Sequence, residues 1–440
     1  HGKLVAVGSR SADKAAAFAR EFGIGRVHGS YEALLADPEV DAVYIATPHP
    51  LHPRWVIAAC EAKKHVLCEK PIALNGWQTE AMIAAAQEND VFLMEAFMYR
   101  AHPQTARLVE LVKQKAIGDL TVIRAEFAFR GGDNPAGRLM NNDLGGGGIL
   151  DVGCYPVSIA RLLAGAALGK DLAEPVEVVG AGHLGATGID EYASAILKFE
   201  GDLIAEVSTG VRLGRENEVV LYGTEGRIRV NHPWQHHPKA DASITIFRNG
   251  AEPRVETFGD ADNAYACEID LVAKHLAQRQ APAPAMSWAD SLGQMRTLDR
   301  WRAAIKLTYD QEKPERLAPV RGTLARRKDV APMPYGEVPG LDKKVSRLVF
   351  GCDNQADYRH GAAVWDDWYE RGGNAFDTAV IYGGGSHETN LGTWIENRGI
   401  RKEVVVIVKG GHTPNCFPDK ITEQLKISLE RQKSDCADIY

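Results

Sequence analysis

Three residue types that can hold or move a proton beside a carbinol carbon stand at suggestive places in this sequence. Lys70 follows the apolar strand His65-Val-Leu-Cys68, inside Cys68-Glu69-Lys70-Pro71. The carboxyl end of a strand in an open α/β sheet is where ligands bind. Asp151 and Tyr155 are four apart in a helix predicted around 148–163, so they share one face. A free phenol titrates near 10, and working near neutrality asks for a drop of about 2–3 units, or ~3–4 kcal/mol. A lysine ammonium ~4 Å away supplies about 4 kcal/mol at an effective dielectric near 20. That suffices only if the two are so close. The blander alternatives are a solvated Lys70 at a strand rim and a Tyr155 packed beside Gly153 and Pro156.

A second group of residues suits a nucleotide. The strand Lys3–Gly8 ends in Ser9-Arg10-Ser11. A site for NAD places an acidic residue at such a strand end to hold the ribose 2′-hydroxyl. Ser9 and Arg10 suit a 2′-phosphate instead, since a guanidinium binds phosphate in a fork. NADP(H) is therefore the expected cofactor, with NAD less favoured. Arg10 as a plain surface residue is the competing reading. No G-x-G-x-x-G pyrophosphate loop stands at the start of the chain, so a nucleotide fold lacking its first βα unit, with weak NADPH affinity, is the expectation.

The elements that would position these residues alternate. Up to residue 99, apolar strands (3–8, 41–47, 65–68, 91–94) are separated by helices (12–22, 55–62, 77–87), with Ser11 as an N-cap. Near-continuous apolar strands between helices imply a parallel sheet covered on both faces. Beyond about residue 120 the pattern becomes apolar/polar alternation, near 121–130, 191–199, 203–209, 218–222, 227–230 and 243–247, which predicts a mostly antiparallel sheet. Helices near 148–163, 264–278 and 288–307 complete an α+β domain. Residues 308–344 lack periodicity and read as a linker. From Val345 four strands (345–350, 374–378, 403–408, 438–440) alternate with helices again.

Bulk properties exclude several classes. The 440 residues exceed one typical core. Apolar content of 45% and a net charge of −7 without long basic blocks argue against nucleic acid or anionic membranes as partners. No apolar run is expected to reach the roughly 20 residues of a membrane span. Seven scattered cysteines without a C-x-x-C pair suggest reduced thiols and a cytoplasmic home. His232, His236 and His237 form the one histidine cluster; without matching Cys or acidic spacing no metal is expected there.

Longer motifs extend the case: Asp41-Ala-Val-Tyr-Ile-Ala-Thr47-Pro48 with His52, Glu69-Lys70-Pro71, Glu95-Ala-Phe-Met-Tyr-Arg100-Ala-His102-Pro-Gln104, Gly145-Gly-Gly-Gly-Ile-Leu-Asp151-Val-Gly-Cys-Tyr155-Pro156, and Tyr222-Gly-Thr-Glu-Gly226. Over residues 1–310 the chain resembles the glucose–fructose oxidoreductase/inositol dehydrogenase (Gfo/Idh/MocA) family, most closely its NADP-dependent xylose and dihydrodiol dehydrogenase branch. The resemblance implies a Rossmann domain (1–99) and an α/β substrate and dimerisation domain (100–310), with copies pairing through the open sheet face. It implies hydride transfer between nicotinamide and a sugar, polyol or dihydrodiol-like substrate. Tyr155 would be the acid/base, Lys70 its electrostatic partner and Asp151 an orienting acceptor. Ser9, Arg10, Thr47, Pro48, His52, Glu69 and Lys70 would line the cofactor, and Arg100 with Tyr155 the substrate. His102 is either at the border of the substrate or structural. The four glycines before Ile149 permit close backbone approach rather than holding phosphate.

After a linker (311–344), residues 345–440 resemble the opening part of an aldo-keto reductase, through Gly373-Asn-Ala-Phe-Asp377-Thr-Ala379, Tyr382-Gly383, Glu388, Lys409 and Asp438-Ile-Tyr440. That family has a (β/α)8 barrel, of which this segment would supply a part. The resemblance makes Asp377, Tyr382 and Lys409 members of a catalytic tetrad, its histidine falling beyond Tyr440 and the module expected inactive as it stands. Two alternatives stay open: a non-catalytic NADP-binding regulator, and the aldo-keto portion as the main activity of a longer chain.

Overall fold

The computed structural model describes residues 2–234, 242–258, 263–313, 324–328 and 330–440. The chain forms two compact units, His1–Asp310 and Gln311–Tyr440.

The first unit opens with β1 (Ala6–Gly8), α1 (Ala12–Phe22), β2 (Arg26–His28), α2 (Tyr31–Leu35), β3 (Ala42–Ile45), α3 (His52–Glu61), β4 (His65–Glu69), α4 (Gly76–Asn89) and β5 (Leu93–Ala96). Ser11 caps α1 by accepting the Lys14 N–H, as its position suggests, and Asn75 caps α4 through Gln78 N–H. β1 pairs in parallel with β2, and β3, β4 and β5 form a separate parallel sheet. β2 escaped the sequence reading because it is three half-exposed residues. It is held by Asp37, which accepts from Arg26 Nη1 (2.8 Å) and lies 3.0 Å from His28 Nε2. Between β1 and β3 lies an apolar slot of about 480 Å³, lined by Val5, Val7, Leu34, Val43 and Ile45. β1 has β2 as its one strand neighbour and β3 has β4, so two strand edges border this slot.

The unit continues with α5 (Pro103–Lys113), β6 (Leu120–Ala128), α6 (Cys154–Ala167), β7 (Glu177–Leu184), β8 (Asp190–Lys198), β9 (Ile204–Gly210), β10 (Val219–Gly223), β11 (Gly226–Asn231), β12 (Ser243–Arg248), β13 (Arg254–Thr257), α7 (Ala264–His275) and α8 (Trp288–Ala304). Eight strands form one sheet in the order β13-β12-β11-β10-β6-β9-β8-β7. β6 and β9 run parallel and every other pair is antiparallel, so the sheet is mixed. α6 packs on β6 and β9, and buries almost every side chain it carries. The turn before it, Ile149–Gly153, winds as a π-helix, a form frequent at functional sites. Pro156 stands three residues past the π-helical turn that runs directly into α6, and has no N–H to donate back to that turn. The helical run Asn142–Ala167 is long and apolar enough to cross a membrane, which corrects the expectation that no run is; its most apolar 18-residue window is wholly buried, as in a core helix.

In the second unit, β14 (Tyr335–Gly336) pairs antiparallel with β15 (Val345–Ser346). The expected linker therefore carries a strand, and the expected strand 345–350 is divided. Asn374 explains the division: its Oδ1 accepts the Ser346 N–H at 2.8 Å and its Nδ2 donates to Lys344 O at 2.8 Å, fixing that segment. β16 (Phe350–Gly351), α9 (Tyr358–Glu370), β17 (Ala375–Ala379), α10 (Ser386–Arg398), β18 (Val405–Lys409) and α11 (Pro418–Arg431) follow. β16, β17 and β18 are parallel neighbours in chain order, and Ile439 forms a parallel bridge to Ile407.

Candidate active sites

Lys70, Asp151 and Tyr155 meet. Lys70, at the end of β4, donates from Nζ to the Asp151 carbonyl at 2.7 Å and stands 3.7 Å from its carboxylate. The same ammonium lies 5.1 Å from the centre of the Tyr155 ring, over its face. The Tyr155 hydroxyl points at Met98 Sδ, 3.6 Å away, a weak acceptor that a substrate oxygen can replace.

The phenol departs from the sequence expectation. Burial first, then the acidic groups around it (Cys154, Glu69, Tyr265 and Asp151), push its pKa well above the ordinary value. Its neighbours are aromatic: Phe97 and Phe127 at 5.2 Å, Tyr99 at 5.6 Å and Trp234 at 5.7 Å between ring centres. Among the described residues no donor bonds the phenol oxygen, and the Lys70 ammonium meets the ring face, so the resting phenol keeps its proton. Tyr155 is therefore a protonated donor.

Two members of the cluster were missed by sequence reasoning. Arg138 donates to Asp151 Oδ1 at 2.8 Å, and the buried His49 ring lies 3.5 Å from the same guanidinium nitrogen. Burial, then the charges of His52, Lys70 and Arg138, hold His49 neutral. Arg138 lies in an aperiodic loop, where pattern carries no signal.

The expected cofactor residues gather on the carboxyl ends of β1, β3 and β4. Ser9 follows β1, half-buried, and Arg10 is exposed with no hydrogen bond or ion pair among the described residues. Thr47 and Pro48 follow β3, and Thr47 Oγ1 is buried without a hydrogen-bond partner. Glu69 bonds the Tyr44 hydroxyl and accepts the Lys70 N–H at 3.1 Å.

Two expectations need correction. His52 is completely buried, and both ring nitrogens face backbone carbonyls: Nδ1 those of Pro71 (3.0 Å) and Ile72 (3.2 Å), Nε2 that of Thr47 (2.6 Å). It has no atom left for a cofactor and instead ties the end of β3 to the Lys70 loop. Arg100 is 1% exposed and bonds Asp290, Ser158 and the Pro284 carbonyl, so it belongs to the core and not to the substrate. His102 takes the structural alternative: its Nδ1 accepts the Gln104 N–H as N-cap of α5. His236 and His237 lie outside the described residues, and no metal-ligand cluster occurs among those described.

In the second unit Lys409 Nζ bridges Asp377 Oδ2 at 2.6 Å and the Tyr382 hydroxyl at 2.8 Å. Burial pulls this ammonium down, but the bonds to Asp377 and Tyr382 outweigh it and raise its pKa above the usual lysine value.

A parallel nucleotide-type sheet, a mixed second sheet and an ammonium, carboxylate and phenol gathered beside them define a nicotinamide-nucleotide oxidoreductase. Residues 1–97 match the oxidoreductase family with an NAD-binding Rossmann fold (GFO_IDH_MocA), and residues 105–229 match a C-terminal domain of the same family. A D-xylose 1-dehydrogenase (NADP(+)) of Haloferax volcanii is 36% identical over 302 residues, covering 68% of this chain and 88% of that protein. A trans-1,2-dihydrobenzene-1,2-diol dehydrogenase of Xenopus tropicalis is 33% identical, covering 70% and 91%. Among solved structures, the 3-ketoreductase KijD10 of Actinomadura kijaniata, in complex with NADP and TDP-benzene, superposes with a TM-score of 0.61 at 29% identity, covering 69% of this chain and 90% of that one. The chain belongs to the Gfo/Idh/MocA oxidoreductase family. Its residues 349–440 match the aldo/keto reductase family.

Proposed function

We propose that residues 1–310 transfer hydride between NADP(H) and a carbinol or carbonyl carbon of a sugar, polyol or dihydrodiol-like substrate. The observation that carries this is the convergence of Lys70, Asp151 and Tyr155 at the end of β4. NADP(H), when bound, supplies or accepts the hydride. The chain's residues suit it: the exposed Arg10 and the half-buried Ser9 for a 2′-phosphate, and the orphaned Thr47 Oγ1 with Pro48 and Glu69 along its path. Tyr155, held protonated, gives its proton to the substrate oxygen in reduction and recovers it in oxidation. Lys70 steadies the oxygen's developing charge, and Asp151 with Arg138 orients the ammonium. Reduction of NADP+ by a panel of aldoses and cyclic polyols is the test; no turnover with any of them sinks the reading. Arg10→Ala is expected to weaken NADPH binding about tenfold while leaving NADH binding nearly unchanged, measured by fluorescence titration.

The slot between β1 and β3 supports a further reading of the fold. Two strand edges and apolar walls suit one more parallel strand, the unit of a nucleotide fold that carries G-x-G-x-x-G. A peptide with an apolar strand followed by that motif is expected to raise the thermal midpoint of the first unit and tighten NADPH binding. A slot that ignores such a peptide argues against the reading. The exposed Val179, Tyr192 and Ile196 on β7 and β8 support pairing of two copies through the open sheet face. All seven cysteines are free thiols, which favours a reducing compartment such as the cytoplasm.

For the second unit we propose the opening part of a (β/α)8 barrel, with Tyr382 as proton donor and Lys409 and Asp377 as its partners. The Lys409 bridge between them supports this.

A further inference from the structure

We propose that Glu95 and Asp190, two buried carboxyl groups outside the reacting trio, are positioning residues. Each holds, through one backbone N–H, the segment that presents a reacting side chain. The inference rests on the hydride-transfer reading above.

The two halves of the site are built alike. Glu95 lies on β5, next to β4, with Cys68 as its pairing partner. Its Oε1 accepts the Ile72 N–H at 2.9 Å, two residues beyond Lys70. Asp190 starts β8, and its Oδ2 accepts the Ile149 N–H at 2.7 Å, two residues before Asp151. Glu95 is 1% exposed and Asp190 0%. Among the described residues neither makes a hydrogen bond to Lys70, Asp151 or Tyr155.

Burying a carboxyl group is costly, and each shows the strain of it. Burial drives both up to about 7, against the backbone bonds that pull them down. Glu95 Oε2 and Asp190 Oδ1 are buried without a hydrogen-bond partner. An apolar residue of the same volume would avoid that cost. What the acids offer in return is directional: each fixes a backbone N–H that no helix or strand ladder satisfies.

The chain around Asp190 is shaped for this bond. A Cβ on Gly147 would collide with Asp190 Oδ1, and one on Gly148 would stand 3.2 Å from Oδ2 and 3.1 Å from Gly210 Cα. Gly147 also has φ +105°, a conformation that suits glycine. Thr209 Oγ1 and Tyr309 Oη close the same turn, donating to the carbonyls of Gly148 (3.0 Å) and Gly146 (2.9 Å). Asp190 thus works as an N-terminal cap supplied from another strand, and the π-helical turn that carries Asp151 starts on it. On the other side, Ser291 and the Arg100 charge pull the Glu95 pKa down against its burial.

The test compares variants that keep an acceptor oxygen, Glu95→Gln and Asp190→Asn, with apolar ones, Glu95→Met and Asp190→Leu, all in the full chain. Misplacement of a reacting group by about 1 Å costs up to a hundredfold in rate. Glu95→Met and Asp190→Leu are expected to lower kcat about thirtyfold, with KM for the polyol and Kd for NADPH within about twofold. Glu95→Gln and Asp190→Asn should recover most of that loss. A purely structural role would move the thermal midpoint without this split. If the apolar variants do not fold, the amide variants decide: kcat should fall in step with hydrogen-exchange protection at Ile72 and Ile149. Turnover unchanged in every folded variant overturns the inference alone. An unmodified protein that turns over no polyol overturns the hydride-transfer reading and this one together.

Discussion

Lys70→Met is expected to lower kcat/KM for the sugar or polyol about a thousandfold, or ~4 kcal/mol of transition-state stabilisation. Methionine keeps the length and most of the packing of the lysine stem but removes the charge. What is lost is the bond to the Asp151 carbonyl and the positive charge over the Tyr155 face. Both matter most when the substrate oxygen becomes negative, so the loss falls on kcat more than on KM. The fold should survive, because Asp151 keeps its 2.8 Å partner in Arg138 and is not stranded without a counter-ion. Lys70 is also partly exposed, at 17%, so its removal opens no sealed cavity. Steady-state kinetics beside a urea titration separates the two effects. A Met variant retaining a tenth of the activity would remove Lys70 from the reaction.

Lys70 at the end of a strand was legible because such an end needs little more than an apolar run to be seen, but its meeting with Asp151, in the π-helical turn before α6, was carried by the family resemblance. The same strand-end rule applies to Ser9, Arg10, Thr47 and Glu69, which stand at or just beyond the ends of β1, β3 and β4. The glycine run before Ile149 was rightly read as close approach, since Asp190 and Gly210 stand against it. Tyr155 was misjudged in its electrostatics. The cage that keeps its proton comes from Phe97, Phe127 and Trp234, which are distant in sequence, and periodicity carries no information about such a meeting. Lys70 was taken as a partner for the hydroxyl, but it bonds a carbonyl and lies over the ring. Arg138 has no period around it, and β2 is too short to show one. His52 entered the cofactor set through the family resemblance, yet three carbonyls already claim its ring.

Arg100 shows the same limit, and the largest stability effect follows from it. Its partner Asp290 lies 190 residues away, at the start of α8, where no local pattern links them. Asp290 is fully buried and serves two guanidinium groups: Oδ2 accepts from Arg100 Nη2 and Oδ1 from Arg161 Nη1, each at 2.6 Å. Arg161 has a second partner in Glu174, 3.2 Å from its Nε, but among the described residues Arg100 hydrogen-bonds no other carboxylate and otherwise bonds the neutral Ser158 and Pro284. Asp290→Ala therefore leaves a buried cation without its counter-ion. Removing one member of a buried ion pair costs about 3–5 kcal/mol, far more than the intact pair contributes over an apolar substitute. Unit 1 of Asp290→Ala is expected to unfold about 4 kcal/mol more easily, read as a lower urea midpoint with the slope unchanged. A double change, Asp290→Leu with Arg100→Met, should recover part of that loss by removing the stranded charge as well. If Asp290→Ala shifts the midpoint by less than about 1 kcal/mol, the three-residue network is not holding the turn Met98–Ala101, α6 and α8 together, and Arg100 must be reconsidered as a residue of the substrate cleft.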